Sequence, residues 1–142
     1  MIDSKIIKIA SFTQNVGLKN KFTHRCSIKN SLCGDNIKIE FIVNNSKVKS
    51  MRYETESCIL CEASASLFSK KIKNIKIQTL IKEIKELKEI RKNLKYIFPK
   101  RFKEFNQLIK RKNISRFNCV ILPMEALRLG FNWSMGPFEM LE

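Results

Sequence analysis

The chain has 142 residues, 44% of them hydrophobic and 29% charged, the balance of one compact globular domain and not of a collagen, mucin or linker sequence. Its longest uncharged apolar stretch, Phe117 to Met124, is far shorter than the roughly 20 residues a bilayer span needs. The net charge of +15 points first to an anionic partner, but 16 Lys or Arg against four Glu fall between Lys70 and Lys112, so a single block carries +12 of it. An AT-rich genome also produces such Lys, Ile and Asn usage through its codons, with no binding function.

In chain order, the start (Ile2, Asp3, Lys5, Lys8) lacks the pattern of an export signal, and the chain is read as intracellular and cytoplasmic. Ile2 to Phe12 predicts a short helix, and a polar stretch follows through Gly17 and Asn20. Residues 23 to 29 alternate loosely. Ile37, Ile39 and Phe41 alternate with Lys38 and Glu40 as a half-buried strand does, Asn44-Asn45 reads as a hairpin turn, and Lys47 to Glu56 predicts a third strand. After Cys58 the period changes. Ile59 to Phe68 is compact and helix-compatible, and its small residues allow close packing on the sheet. Ile77, Leu80, Ile81, Ile84, Leu87 and Leu94 recur at three and four, an amphipathic helix whose wet face holds most of the basic block. Pro99 punctuates it, Phe102, Phe105, Leu108 and Ile109 form a further apolar stripe, and Pro123 opens a last short helix that Gly130 closes. The expected fold is α+β: a small antiparallel three-stranded sheet in the N-terminal half, packed by several helices from the C-terminal half, as a single domain over 1–142.

Five cysteines without an export signal argue against a disulfide framework and for reduced thiols, which when grouped serve as metal ligands or redox groups. Cys33-Gly34-Asp35 lies between two strands, and Gly34 permits a left-handed turn that lets both neighbours point to one spot. Cys58 and Cys119 each precede a predicted helix, where amide donors and the helix dipole stabilise thiolates. Three thiols and a carboxylate are an inventory that suits zinc or an iron-sulfur cluster. The spacings match no zinc-finger rule.

Other chemistry is poorly supported. His24 is the only histidine, which excludes a multi-histidine metal site and a His-based triad. Cys58-x-x-Cys61 lacks the strand and crossover of a thioredoxin, Ser64 and Ser66 have no accompanying base, and four glycines form no phosphate loop.

Ser31-Leu32-Cys33-Gly34-Asp35, then Ser57-Cys58 followed by Ala63-Ser64-Ala65-Ser66, then Cys119 before Leu122-Pro123, occur in that order. Together they resemble the NifU/IscU/SufU family of iron-sulfur cluster assembly scaffolds, over about residues 20 to 130, and the long spacing before the third motif is closer to the SufU-type branch. By position, the resemblance implies that Cys33, Asp35, Cys58 and Cys119 hold the cluster or metal, with Cys119 and Cys33 as the candidates for persulfide acceptor. It implies a scaffold and not an enzyme: sulfur comes from a cysteine desulfurase, iron is bound, and a transient [2Fe-2S] cluster passes to apo iron-sulfur proteins, with a cluster-transfer chaperone as a further partner. The alternative it offers is a zinc-dependent sulfurtransferase on the same four ligands. A basic nucleic-acid-binding module is the third reading, without clustered aromatics or any named motif behind it. Ser57, Met124 and Asn118 depart from the family's usual Gly, aromatic and, in the IscU branch, ligand His. The last departure leaves Asp35 as the fourth ligand. Cys61 is weighed as a spare thiol or a packed core residue, and Cys26 is read as structural.

Overall fold

The computed structural model describes residues 4–12, 14–30, 34–92, 98, 100–109 and 116–132. The order is helix α1 (Ser4–Ala10), strands β1 (His24–Lys29), β2 (Asn36–Asn44) and β3 (Lys47–Glu56), helices α2 (Ile59–Lys71) and α3 (Ile77–Lys92), a 3-10 helix (Lys100–Gln107) and α4 (Phe117–Asn132). The three strands form one antiparallel sheet in the order β1-β2-β3. The expected α+β arrangement, with the sheet first and helices packed around it, is what the chain adopts.

Strand alternation decides which face is covered. Cys26 and Ile28, then Ile37, Ile39 and Phe41, then Val48, Met51 and Tyr53 are all buried, and α4 packs on β1 and β2 while α2 packs on β3, α1 and α4. Helix α2 is buried on nearly every side, through Leu60, Cys61, Ala63, Ala65 and Phe68 and through Ser64, Ser66 and Ser69. Its serines tie it to its neighbours: Ser66 Oγ donates to the Phe12 carbonyl (3.0 Å) and Ser64 Oγ to that of Val120. The stripe Ile77, Leu80, Ile84 and Leu87 is buried as its spacing requires, and so are Phe102, Phe105, Leu108 and Ile109; Leu94 and Pro99 lie outside the described residues.

The polar stretch before β1 is fixed by two charged residues of the sheet's other face. Buried Glu40 accepts from the backbone amides of Lys19 and Asn20. Arg52, its cross-strand partner, donates to the Gly17 and Val16 carbonyls at 2.7 Å each. The segment is thereby held beside β3, where Val16 bridges Tyr53.

Two local expectations are corrected. Asn44 pairs with Lys47, so the hairpin loop is Asn45-Ser46, one residue later than read. Both have positive φ (54° and 64°), as a two-residue turn matching the strand twist demands. The last helix begins at Phe117, not at Pro123, which sits seven positions in. A proline there cannot donate to the Cys119 carbonyl four residues back, and the Ser64 hydroxyl supplies a donor to the next carbonyl, Val120. Gly130 does not close that helix but lies within it. A Cβ there would stand 3.1 Å from both Cys26 Cβ and the Phe41 ring, so the missing side chain is what lets α4 approach the sheet.

Candidate metal centre

Three segments far apart in sequence end at one place. Asp35 stands immediately before β2, behind Gly34, whose φ of +78° confirms the left-handed turn; a Cβ at Gly34 would meet nothing within 4 Å, so its role is conformational. The turn is closed by Gly34 N–H donating to the Asn30 carbonyl and Asn30 N–H to that of Asp35, both 2.7 Å. Cys58 follows β3 and is the N-cap of α2, with extended backbone (φ −69°, ψ 163°). Cys119 is the third residue of α4 and so lies inside its first turn; the expectation that it precedes the helix fails because the helix starts before Pro123.

The ligand atoms of Asp35, Cys58 and Cys119 all lie within 4.8 Å of one another. Asp35 and Cys119 are buried and Cys58 is half-buried, so the group opens outward on the Cys58 side. Asp35 Oδ1 accepts the Cys58 backbone N–H (2.9 Å), and Oδ2 lies 3.2 Å from Cys58 Sγ. The described cysteines are thiols. A hydrogen bond with Cys119 is the main cause that brings the Cys58 thiol down to about 6; burial opposes it, the Cys61 amide helps, the Asp35 carboxylate opposes, and Arg116 helps.

Arg116 is the participant that sequence reasoning missed. It stands exposed just before α4, and its guanidinium hydrogen-bonds both sulfurs, which reinforces its positive charge. The available signal was its place three residues before Cys119 at a helix start, one turn away on the same face.

Cys33 lies outside the described residues. Cys61 and Cys26 are both fully buried core residues, Cys61 inside α2 and Cys26 under Gly130, as a packed, structural reading of each requires. His24 stacks on Phe41 (5.1 Å between ring centroids) beside Phe131, and burial holds its pKa below the ordinary value. It belongs to the β1–α4 packing and not to the thiols.

This small α+β protein thus gathers two thiols and a carboxylate, from a strand entry and two helix starts, at one end of its sheet. The chain belongs to the NifU-like N-terminal domain family, which matches residues 2–111. Cys119 falls beyond that match, so its place beside Asp35 and Cys58 rests on the geometry. Among solved structures the chain is similar to the N-terminal part of a nitrogen-fixing NifU-like protein from Brucella abortus (TM-score 0.78, 17% identity, 92% of this chain and 91% of that one). It is also similar to a protein assigned as an iron-sulfur cluster assembly scaffold for the SUF system of the thermophile Fervidobacterium islandicum AW-1 (TM-score 0.73, 19% identity, 91% and 95%). At such identities these likenesses speak for the fold. No curated protein matches the sequence. Among the described residues no helix is long and apolar enough to cross a membrane.

Proposed function

We propose that this chain is an iron-sulfur cluster assembly scaffold, with Cys33, Asp35, Cys58 and Cys119 as the residues that hold its cargo. The observation that carries the reading is the convergence of two sulfurs and one carboxylate within 4.8 Å. Membership of the NifU-like family and the role named for the Fervidobacterium protein supply the class of cargo.

The donor chemistry fits transient holding. Thiolates suit iron and sulfide, while one carboxylate among them is a harder and weaker partner for such a cargo than a fourth thiolate. Sulfur enters as persulfide from a cysteine desulfurase. A thiolate of this chain attacks the outer sulfur of the donor's persulfide, a new S–S bond forms, the donor's S–S bond breaks, and the donor cysteine leaves as thiolate. Cys119 and Cys33 are the proposed acceptors. Arg116 offers a cation where negative charge gathers. An external electron donor of the reducing cytoplasm then delivers two electrons to each persulfide, the S–S bond breaks, the acceptor cysteine returns as thiolate and the sulfur leaves as sulfide, which joins iron; the [2Fe-2S] product passes to apo proteins, alone or through a chaperone.

One observation favours a second reading. Ligand atoms within 4.8 Å of one another need only small side-chain adjustments to surround a single ion at the roughly 2.0–2.3 Å bond lengths of tetrahedral zinc. A resident Zn²⁺ on the same ligands would hold the thiols deprotonated for a sulfurtransferase of the SufU type. Aerobic and anaerobic purification with metal analysis and a visible spectrum separates the two. Iron and sulfide that reconstitute to a coloured, transferable cluster support the scaffold; a colourless protein with one tightly held zinc that cannot be reconstituted sinks it in favour of the sulfurtransferase.

A further inference from the structure

At the far end of the sheet from the sulfurs, the β2–β3 hairpin is stapled to the connection between α2 and α3. Val48 N–H donates to the Ile75 carbonyl (3.0 Å), Asn74 N–H to that of Val48 (2.7 Å) and Ile77 N–H to that of Ser46 (2.8 Å). Lys47 and Lys76 face each other as partners in an antiparallel bridge. Like charges directly opposite each other weaken a ladder, yet here the backbone sets two lysines at opposing positions. Lys73 is exposed in the same connection, and Lys49 stands at the irregularity in β3 where the register to β2 slips.

Among the described residues the local charge has no acidic counterpart. Residues 44–50 and 72–79 contain four lysines and no Asp or Glu, and none of the four lysines forms an ion pair with a described residue. Lys71 and Arg101 of the basic block differ from them in this: Lys71 meets Glu104 at 2.6 Å and Arg101 meets Glu83 at 2.7 Å. Two lysines kept at opposing positions by three backbone hydrogen bonds are the kind of local cost that folds retain for a function.

We infer that this hairpin end is a docking surface for an acidic segment of a partner protein, one whose carboxylates bridge Lys47 and Lys76 and reach Lys73. The surroundings select that chemistry. Asn44, Asn45, Ser46 and Asn74 flank the lysines with further hydrogen-bonding groups, and neither stretch contains an aromatic ring on which a nucleic-acid base could stack. Among the described residues the exposed large apolar side chains, Ile7, Phe12 and Val16, belong to α1 and the segment after it, so no exposed large apolar side chain of that set stands beside the lysines to enter a bilayer. The ten residues of β3, at about 3.3 Å each, put the surface about 30 Å from Cys58. A partner held there leaves the thiol site open to a second protein, and the inference does not depend on what that site carries.

The test uses the full chain and three probes at about 0.05 and 0.15 M salt, within the range where exposed charges are still felt: a fluorescent dodecapeptide of glutamate, a single-stranded 12-mer oligonucleotide, and phosphatidylserine vesicles. Lys73→Glu/Lys76→Glu should weaken peptide binding by about tenfold, while the equal charge change Lys100→Glu/Lys103→Glu on the 3-10 helix should weaken it less than about twofold. The single Lys76→Glu change should raise the melting temperature as it lowers peptide affinity, because it relieves the pair with Lys47. Equal losses from the two double variants would overturn the inference, reducing the effect to net charge. Tighter binding of the oligonucleotide or of the vesicles than of the peptide, lost in Lys73→Glu/Lys76→Glu, would overturn it in favour of those partners.

Discussion

The carboxylate of Asp35 holds Cys58 twice, through its backbone N–H with Oδ1 and across 3.2 Å to its sulfur with Oδ2. One side chain therefore fastens the start of α2 to the start of β2 and also faces the thiol. The two duties separate by substitution. Asp35→Asn keeps an acceptor for the amide but removes the charge, so its melting temperature should stay close to that of the parent while metal affinity falls. Asp35→Ala removes the acceptor as well and should cost a further 1–3 kcal/mol or so, the typical penalty for a buried donor left unsatisfied. Thermal melts and competitive metal titration on both variants check this; identical behaviour of the two would show that the amide contact does not matter.

Cys58 should be the fastest-alkylated of the described cysteines in metal-free protein, with an iodoacetamide rate that rises through a midpoint near pH 6. Cys119→Ala should move that midpoint up furthest, since the Cys119 hydrogen bond is the main cause of the lowered value, and Arg116→Gln should move it less. The sign for stability follows. The folded value lies below the ordinary thiol value, so the contribution is complete above about pH 8.5, shrinks as the pH falls, and is gone below about 6. The melting-temperature gap between parent and Cys58→Ser, both metal-free, should widen from pH 5.5 to 8.5.

The cysteines should sort into two groups by metal content. Cys33→Ala, Cys58→Ala and Cys119→Ala should each lose bound metal, whereas Cys26→Ser and Cys61→Ser should keep its stoichiometry and lose only stability, because both side chains are fully buried in the core. Inductively coupled plasma analysis of the five variants decides it, and metal loss in Cys61→Ser would bring that thiol back into the site.

Gly130→Ala should destabilise the protein although alanine favours helices by about 1 kcal/mol over glycine. The added methyl would press on Cys26 and Phe41 at 3.1 Å and on the Arg25 carbonyl at 3.3 Å, and overpacking of a tight interface costs typically 1–3 kcal/mol. Denaturant melts should show a net loss; a gain would mean that α4 can slide off the sheet without cost.

Much of this was legible from side-chain period and small motifs. The strands at Ile37–Phe41 and Val48–Tyr53 and the helix at Ile77–Leu87 bury the residues that alternation and three-four spacing select. The turn at Gly34 and the N-cap position of Cys58 were readable for the same local reason. What was not legible depends on contacts between distant residues. Pro123 reads as a helix opener because its cost inside a helix is local, while Ser64, the donor that serves the neighbouring Val120 carbonyl, is 56 residues away. Gly130 reads as a stop signal, because the strand residues Cys26 and Phe41 that require its bare backbone cannot be seen from its neighbours. The clamp of Glu40 and Arg52 on residues 16–20 was hidden likewise, since a charged pair on an outer strand face ordinarily looks like solvated surface. Arg116 was visible as a residue but had no role until the helix start was moved back to Phe117.

The three described residues of the candidate site come from a turn, a helix cap and a helix start, with Asp35 and Cys58 23 positions apart and Cys58 and Cys119 61 positions apart. No contiguous piece of chain can assemble the site, so it exists only when sheet, α2 and α4 are docked together. Bound cargo must then stabilise the native state in proportion to its affinity, and a chain that opens must let it go. Under the proposed function, loading thus doubles as a readout of integrity: a damaged or half-made copy would not sequester iron or sulfur, and an intact copy would grow harder to degrade while it is charged.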